Sequence, residues 1–566
     1  MRRLLAIAVV AGLARAPVAR AALWEDSTAG TIGTTAGWSN KVELADINGD
    51  GRVDILFANG GNYRTPGTPE LNRVFLNNGP GNAFTDATEA VLGSTPDLAR
   101  VIKVRDVSGD GNPDIIVGTT YQTQSRLYLG DGSGNFTEVT STNLPQIPAS
   151  VGDIAVGDVD GDGDLDLVVA DWGAGNPQTN RGGRTMLWLN DGTGVFTDAT
   201  ATKMPDVLVR FSWDLELVDV DNDYDLDVLV SCKSCTGSFL FHNDGSGVFT
   251  DASSRLPQFT NNYEFEAMDV DGDGYLDLAT INDGPNLREH IFLADGAGGF
   301  TDGTATWFPA SANLGEDDNM VVWLDADSDG DADFLIGSLS GADRLLRHGD
   351  SSFSVEQTVV SGAATPGTLG VAVADLDGDH RLDLVMSQGE VADPDKVYFG
   401  VDIPVDTAPP FVGLVAQVDS AARGDDVTIR ARVHDTKSPT MPQDWTSVTL
   451  RWSVDGGSET DTDMRWYGEY LWRATLSDVA FGSIRYRVCA TDAAGNETCS
   501  APHTTVVSEA GSPDAGTTNP GNDAGTTAPG GGGCCNAGSR GRSGNAVVLL
   551  LVVAMLGVRR RRCRVR

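Results

Sequence analysis

A nine-residue acidic pattern, written seven times, limits this chain more than any other feature. It begins at Asp46, Asp106, Asp158, Asp219, Asp269, Asp325 and Asp375 and reads DINGDGRVD, DVSGDGNPD, DVDGDGDLD, DVDNDYDLD, DVDGDGYLD, DADSDGDAD and DLDGDHRLD. A pattern returning about every 50 residues marks one supersecondary unit copied along the chain, and such units bury their apolar faces only against one another. Oxygen-bearing side chains recur at positions 1, 3, 5 and 9, and position 7 can add its backbone carbonyl. A hard cation such as Ca2+ takes an oxygen shell of this kind. Three copies hold five Asp in nine residues, and without a cation those carboxylates would repel and raise one another's pKa.

The flanking residues decide what the loops connect. An EF-hand needs Glu at position 12 between two helices, but position 12 here is Phe57, Val117, Val169, Val230, Thr280, Ile336 or Met386. The flanks are β-type runs such as IAVGDV and LVVAD, so each loop joins two strands. The third unit continues through TMLWLN, the turn DGTG and VFTDAT, which makes four strands. The same turn-and-strand signature follows from Asn77, Gly130, Asn190, Asn243 and Ala294 and degenerates at His348. Repeats of this size with four short strands predict an all-β fold, a seven-bladed β-propeller. The seventh unit has three strands and departs from the template at Ile403, while LWEDSTAGT from Leu23 matches a fourth. The N-terminal segment is therefore expected to close the ring and remove an open edge.

These residues resemble the FG-GAP/VCBS repeat family, the calcium-binding blades of integrin α-chain propellers and of many bacterial surface proteins, over roughly residues 22 to 400. The resemblance implies Ca2+ ligands at Asp46, Asn48, Asp50 and Asp54; Asp106, Ser108, Asp110 and Asp114; Asp158, Asp160, Asp162 and Asp166; and Asp219, Asp221, Asp223 and Asp227. It implies the same roles for Asp269, Asp271, Asp273 and Asp277; Asp325, Asp327, Asp329 and Asp333; and Asp375, Asp377, Asp379 and Asp383. Ser108 departs from the pattern as a weaker ligand, and Tyr224 and His380 replace the glycine of the sharp turn. Occupancy is in question for loops 2, 4 and 7.

Beyond a propeller spanning 22–403, residues 408–507 carry alternating strands such as DDVTIRARVHD and SIRYRVCATD. They predict an immunoglobulin- or fibronectin-like β-sandwich. Cys489 and Cys499 flank a DAAGN turn and are expected to pair in an exported protein; Cys232 and Cys235 are read as a local disulfide between two strands of the fourth blade. Residues 508–533 hold Gly, Thr, Pro, Ala and Asp with no large apolar side chain, the composition of a flexible stalk.

Both ends read as address labels. Arg2 and Arg3, the apolar run Leu4 to Leu13 and Ala19-Arg20-Ala21 form a signal peptide over 1–21. Residues 534–566 place Cys534 and Cys535 before an apolar run, Ala546 to Val558, and an arginine cluster. That order resembles the C-terminal sorting tag of myxobacterial surface proteins (MYXO-CTERM), which implies processing near a cysteine and attachment at the outer surface of the cell. Removing both ends leaves 28 basic residues against 80 acidic ones, a net charge near −52. Such a field disfavours nucleic acid, which needs a basic surface.

No HExxH, GxSxG or phosphate-cradling loop occurs among these residues, so no catalytic residue is assigned. The acidic loops and DGxG turns belong to one face of the ring. The opposite face is expected to present Asn62, Tyr63, Arg64, Tyr121, Trp172, Arg181, Arg184, Trp213, Tyr263, Arg288 and Trp307 to a ligand. The resulting expectation is a calcium-binding surface adhesion or recognition protein with an extracellular protein or polysaccharide as partner. The alternative is a calcium-dependent polysaccharide-active enzyme, because some lyases are similar propellers.

Overall fold

A computed structural model describes residues 22–79, 84–282, 288–349, 351–356, 367–390 and 393–509. The segments expected to be a signal peptide, most of the stalk and a sorting tag with Cys534 and Cys535 lie outside the described residues. No helix among the described residues is long and apolar enough to cross a membrane.

Up to Gly400 the chain forms seven four-stranded antiparallel sheets, as propeller blades do. Their first strands are Ser39–Ala45, Ala99–Arg105, Val151–Gly157, Leu215–Val218, Asn262–Met268, Asp318–Leu324 and Thr368–Ala374. Each acidic loop joins the first strand of its sheet to the second, so sheets and loops are numbered 1 to 7 together. Every first strand touches those of the two neighbouring sheets, and the first strand of sheet 7 touches that of sheet 1. Sheet 7 takes its outer strand from Trp24–Asp26, with Trp24 opposite Gly400. Trp24 is fully buried and donates its indole N–H to the Leu382 carbonyl at 2.7 Å. The ends of this region are thus joined by backbone pairing as well as by apolar burial.

Apolar side chains of the second strands, among them Leu56, Val168 and Leu229, are fully buried between sheets. The first strands are different, because six of the seven carry a β-bulge six residues before their loop, at Asn40, Arg100, Gly152, Tyr263, Asn319 and Leu369. A bulge redirects consecutive side chains. Trp213 holds the equivalent position in sheet 4.

This packing corrects the expected ligand face. Trp172, Trp213 and Tyr263 are no more than 2% exposed, and Arg100 lies 4.1 Å from the Trp213 ring. Tyr63, Tyr121 and Trp307 pack against the same core. An unpaired aromatic surface gains more by collapsing on its neighbours and on a basic group than by facing water. Arg64, Arg181 and Arg288 remain exposed.

Residues 411–508 form two further sheets. One orders Phe411–Gly413, Val427–His434, Leu471–Leu476 and Arg465–Gly468; the other centres on Gly482–Asp492 and Trp445–Val454. Ile429, Leu450 and Val488 are fully buried in their shared core. Cys489 is bonded to Cys499 across paired strands. Cys232 is bonded to Cys235, but within the connection that follows Asp227–Val230 rather than between two strands.

This second region seats on the acidic-loop end of the ring. The Asp158 N–H donates to the Tyr467 carbonyl at 2.7 Å, and the Ser438 N–H donates to the Trp323 carbonyl at 3.0 Å. Tyr467 donates its hydroxyl to the Tyr224 carbonyl at 2.9 Å. Nothing in the strand pattern of residues 408–507 announces this seat.

Candidate metal centres

The seven loops share one backbone. Positions 4 and 6 hold positive φ in every copy, usually on glycine, but Asn222, Tyr224, Ser328 and His380 adopt it at 62°, 68°, 55° and 61°. The left-handed region costs a side chain roughly 1 kcal/mol or more, so the surrounding hydrogen bonds must impose it. The departures at Tyr224 and His380 therefore leave the turn unchanged.

That backbone turns its N–H groups inward onto the carboxylates. In loop 1 the Gly49 and Gly51 N–H groups donate to the two Asp46 oxygens at 2.8 and 2.7 Å. In loop 5 the Gly272 and Gly274 N–H groups do the same to Asp269 at 2.8 and 2.9 Å. Position 5 accepts the N–H of position 7 throughout, as at Asp50, Asp110, Asp162, Asp223, Asp273, Asp329 and Asp379.

Ligand oxygens lie within 4.8 Å of one another in the groups Asp158, Asp160 and Asp166; Asp269, Asp271 and Asp273; and Asp325, Asp327 and Asp333. Loop 4 gathers Asp221 and Asp223 with His242, which the sequence reading did not include. Cys489, Glu497 and Cys499 also cluster, but both sulfurs are committed to the disulfide.

Two observations test whether these groups suit a cation. Three position-3 oxygens, Ser108 Oγ, Asp160 Oδ1 and Asp221 Oδ1, are buried with no hydrogen-bond partner. An oxygen held out of water without a donor is expensive, and a cation is the partner such an oxygen accepts best. The donor set is oxygen throughout apart from His242, which suits Ca2+.

Position 9 has a task that the spacing does not reveal. In each loop one of its oxygens accepts the N–H of position 2 and the other accepts an N–H at the end of the third strand. In loop 1, Asp54 accepts from Ile47 at 3.1 Å and from Asn77 at 2.7 Å. In loop 5, Asp277 accepts from Val270 at 2.9 Å and from Ala294 at 2.8 Å. Asp114, Asp166, Asp227, Asp333 and Asp383 repeat the pair. Burial pushes these carboxyls up, that of Asp166 to about 8 and that of Asp277 to about 7. Position 9 thus staples the loop to its sheet and keeps its remaining lone pairs for a cation.

Basic side chains reach several loops. Arg473 pairs with Asp158, Arg347 lies 3.6 Å from Asp327 and 2.6 Å from Asp333, and Arg381 lies 2.5 Å from Asp379. Loop 4 is the most heavily served, with Arg432 at 3.6 Å from Asp219, His242 at 2.7 Å from Asp221 and Arg430 at 3.6 Å from Asp225.

The FG-GAP-like repeat family model matches residues 46–117, 106–169, 269–336 and 325–386, which include every loop except loop 4. Mouse cartilage acidic protein 1 is 25% identical over 382 residues, which cover 63% of this chain and 50% of the mouse protein. Human cartilage acidic protein 1 is 30% identical over 189 residues, 30% of this chain and 28% of the human protein. The chain thus spans half or less of the curated relatives it matches. A crystal structure of an engineered protein aligns at 24% identity with a TM-score of 0.14, covering 19% of this chain and 22% of that one. The repeated loops and the family match thus agree at six of the seven loops, which are similar to FG-GAP-like repeats.

Proposed function

We propose that this chain is a calcium-binding recognition protein of the cell surface. In this reading residues 22–403 are a seven-bladed propeller and residues 408–507 an immunoglobulin-like sandwich, exported by residues 1–21 and sorted to the outer surface through 534–566. The orphaned position-3 oxygens of loops 2 and 3, Ser108 Oγ and Asp160 Oδ1, carry the calcium assignment, because loop 4 is served by basic side chains of the protein itself. They are buried, aimed into loops of repeated geometry and without donors. The ion's role is to fold and stiffen the sheets, because a cation bound only by the native state stabilises it by mass action.

The seat of the sandwich supports the choice of ligand face. It covers part of the acidic-loop end, which leaves the opposite end open with exposed Arg64, Arg181 and Arg288. Those cations suit an acidic polysaccharide or an acidic protein surface.

Excess chelator is expected to lower the melting temperature, and restored Ca2+ to recover it; unchanged melting removes calcium from the account. An array of glycans and extracellular proteins, probed in Ca2+, is expected to return an acidic ligand whose binding falls in an R64A/R181A variant. Appearance of new unsaturated ends in an acidic polysaccharide would replace recognition with lyase chemistry.

A further inference from the structure

The first strands place charged side chains on the axis of the ring. Three residues before their loops stand Glu43, Lys103, Glu216 and Glu266; five residues before stand Lys41, Asp153, Asp214 and Glu264. Together they line a chamber of about 150 Å³, which residues of the second region, Met441, Trp466 and Glu469 among them, line at the acidic-loop end.

Most of these charges are matched. Glu43 lies 2.9 Å from Arg105, and Lys41 spans Asp153 and Asp214 at 2.7 Å each. Lys437 is drawn aside to Asp444 at 2.7 Å. Glu264 accepts the Val321 N–H at 2.6 Å. Glu216, Glu266 and Glu469 are left around the Tyr470 side chain, with Lys103 near Glu266, Arg105 and Lys103 near Glu469, and, among the described residues, no cation near Glu216.

Glu216 points to a missing partner. Its residue is 9% exposed, its Oε1 accepts the Ala267 N–H at 3.1 Å, and its Oε2 is buried with no hydrogen-bond partner. Glu469 arrives from the opposite side, on the hairpin between Arg465–Gly468 and Leu471–Leu476, held at a φ of 37°. Docking of the second region therefore completes the group.

We propose that this axial chamber holds one divalent cation of the calcium class between Glu216, Glu266 and Glu469, separate from the seven loops. The volume suits an ion with a few waters, each of which occupies roughly 30 Å³. Burial pushes the Glu469 carboxyl to about 7 against the pull of Arg105 and Lys103, and burial with neighbouring carboxylates pushes those of Glu216 and Glu266 well above the usual range.

An ion held by carboxylates from both regions exchanges more slowly than one in an exposed loop, and the test uses that. The folded full chain is loaded with Ca2+, exposed to excess chelator, and its retained calcium counted by elemental analysis. One equivalent per chain is expected to remain in the wild type and in a D269N/D273N loop variant, and to be lost in E216Q/E266Q. A wild type that retains none overturns the proposal, as does an E216Q/E266Q protein with the wild-type count. Should the double variant not fold, E469Q at the hairpin tip replaces it, read by terbium luminescence excited through Trp466 after chelation. Emission abolished in E469Q supports the site, and emission unchanged overturns it. The retained ion is counted apart from the ions the chelator strips, so failure of the loop assignment leaves this count unaffected.

Discussion

Loop 4, from Asp219, and loop 5, from Asp269, share left-handed residues at positions 4 and 6 and the same staple at position 9, yet they meet their charge in opposite ways. Loop 4 is covered. Arg432, 2% exposed, lies 3.6 Å from Asp219 and donates to Asn222 at 2.8 Å, while His242 and Arg430 serve Asp221 and Asp225. Loop 5 is more open, with Asp271 and Asp273 exposed; Arg432 donates to its Gly274 carbonyl at 3.1 Å, but among the described residues none of its carboxylates is in an ion pair. The family model matches loop 5 and passes over loop 4. One motif thus meets its charge in two ways: with the protein's own cations where the second region sits on it and, under the proposed function, with a solvent cation where the loop is more open.

The sharpest way to break that comparison is Arg432→Met. Removing one partner of a buried pair leaves the other charge uncompensated, which costs about 3 kcal/mol or more. Denaturant unfolding is expected to show that loss in chelator and a partial recovery in Ca2+, as loop 4 comes to resemble loop 5. A loss below about 1 kcal/mol would mean that Arg432 does not neutralise the loop.

Asp277→Asn separates the staple from the metal site. Asn keeps one acceptor oxygen and turns an NH2 toward a backbone N–H, so one buried donor loses its partner at a cost of about 2 kcal/mol. The loss is expected to persist in excess chelator, whereas the effect of Asp273→Asn is expected to vanish there. If the two variants respond alike to chelator, position 9 acts as a ligand and no more.

These contrasts show what could be read from the chain itself. The loops were legible because identical acidic positions recur at a fixed period, and ring closure was legible because LWEDSTAGT repeats a strand that unit seven lacks. The axial carboxylates were visible as charges in strands that should be buried, Glu216 and Glu266 three residues before their loops, but their meaning depends on seven strands converging. The aromatic residues misled: Trp213 and Tyr263 resemble loop residues by position, and only the turn of the first strands toward the axis puts them inside. Arg432 looked like any alternating strand residue, because its partners lie more than 150 positions away.

The smallest effect tests whether acid lifts the cover. His434 stacks on Phe411 with ring centroids 4.7 Å apart, and burial with the nearby Arg432 lowers its pKa to about 4. The unfolded chain binds this proton below about 6.5, so the native state alone excludes it between 6.5 and 4. Stability from this group is complete above 6.5 and is lost as pH falls through that window, by about 1 kcal/mol near pH 5.5. His434→Gln, which cannot be protonated, is expected to flatten that part of the stability–pH curve relative to wild type. Because His434 belongs to the covering region, acid is also expected to speed hydrogen exchange around loop 4 before loop 5. Equal acceleration at both loops would place the acid-sensitive step elsewhere and leave the cover unrelated to the difference between them.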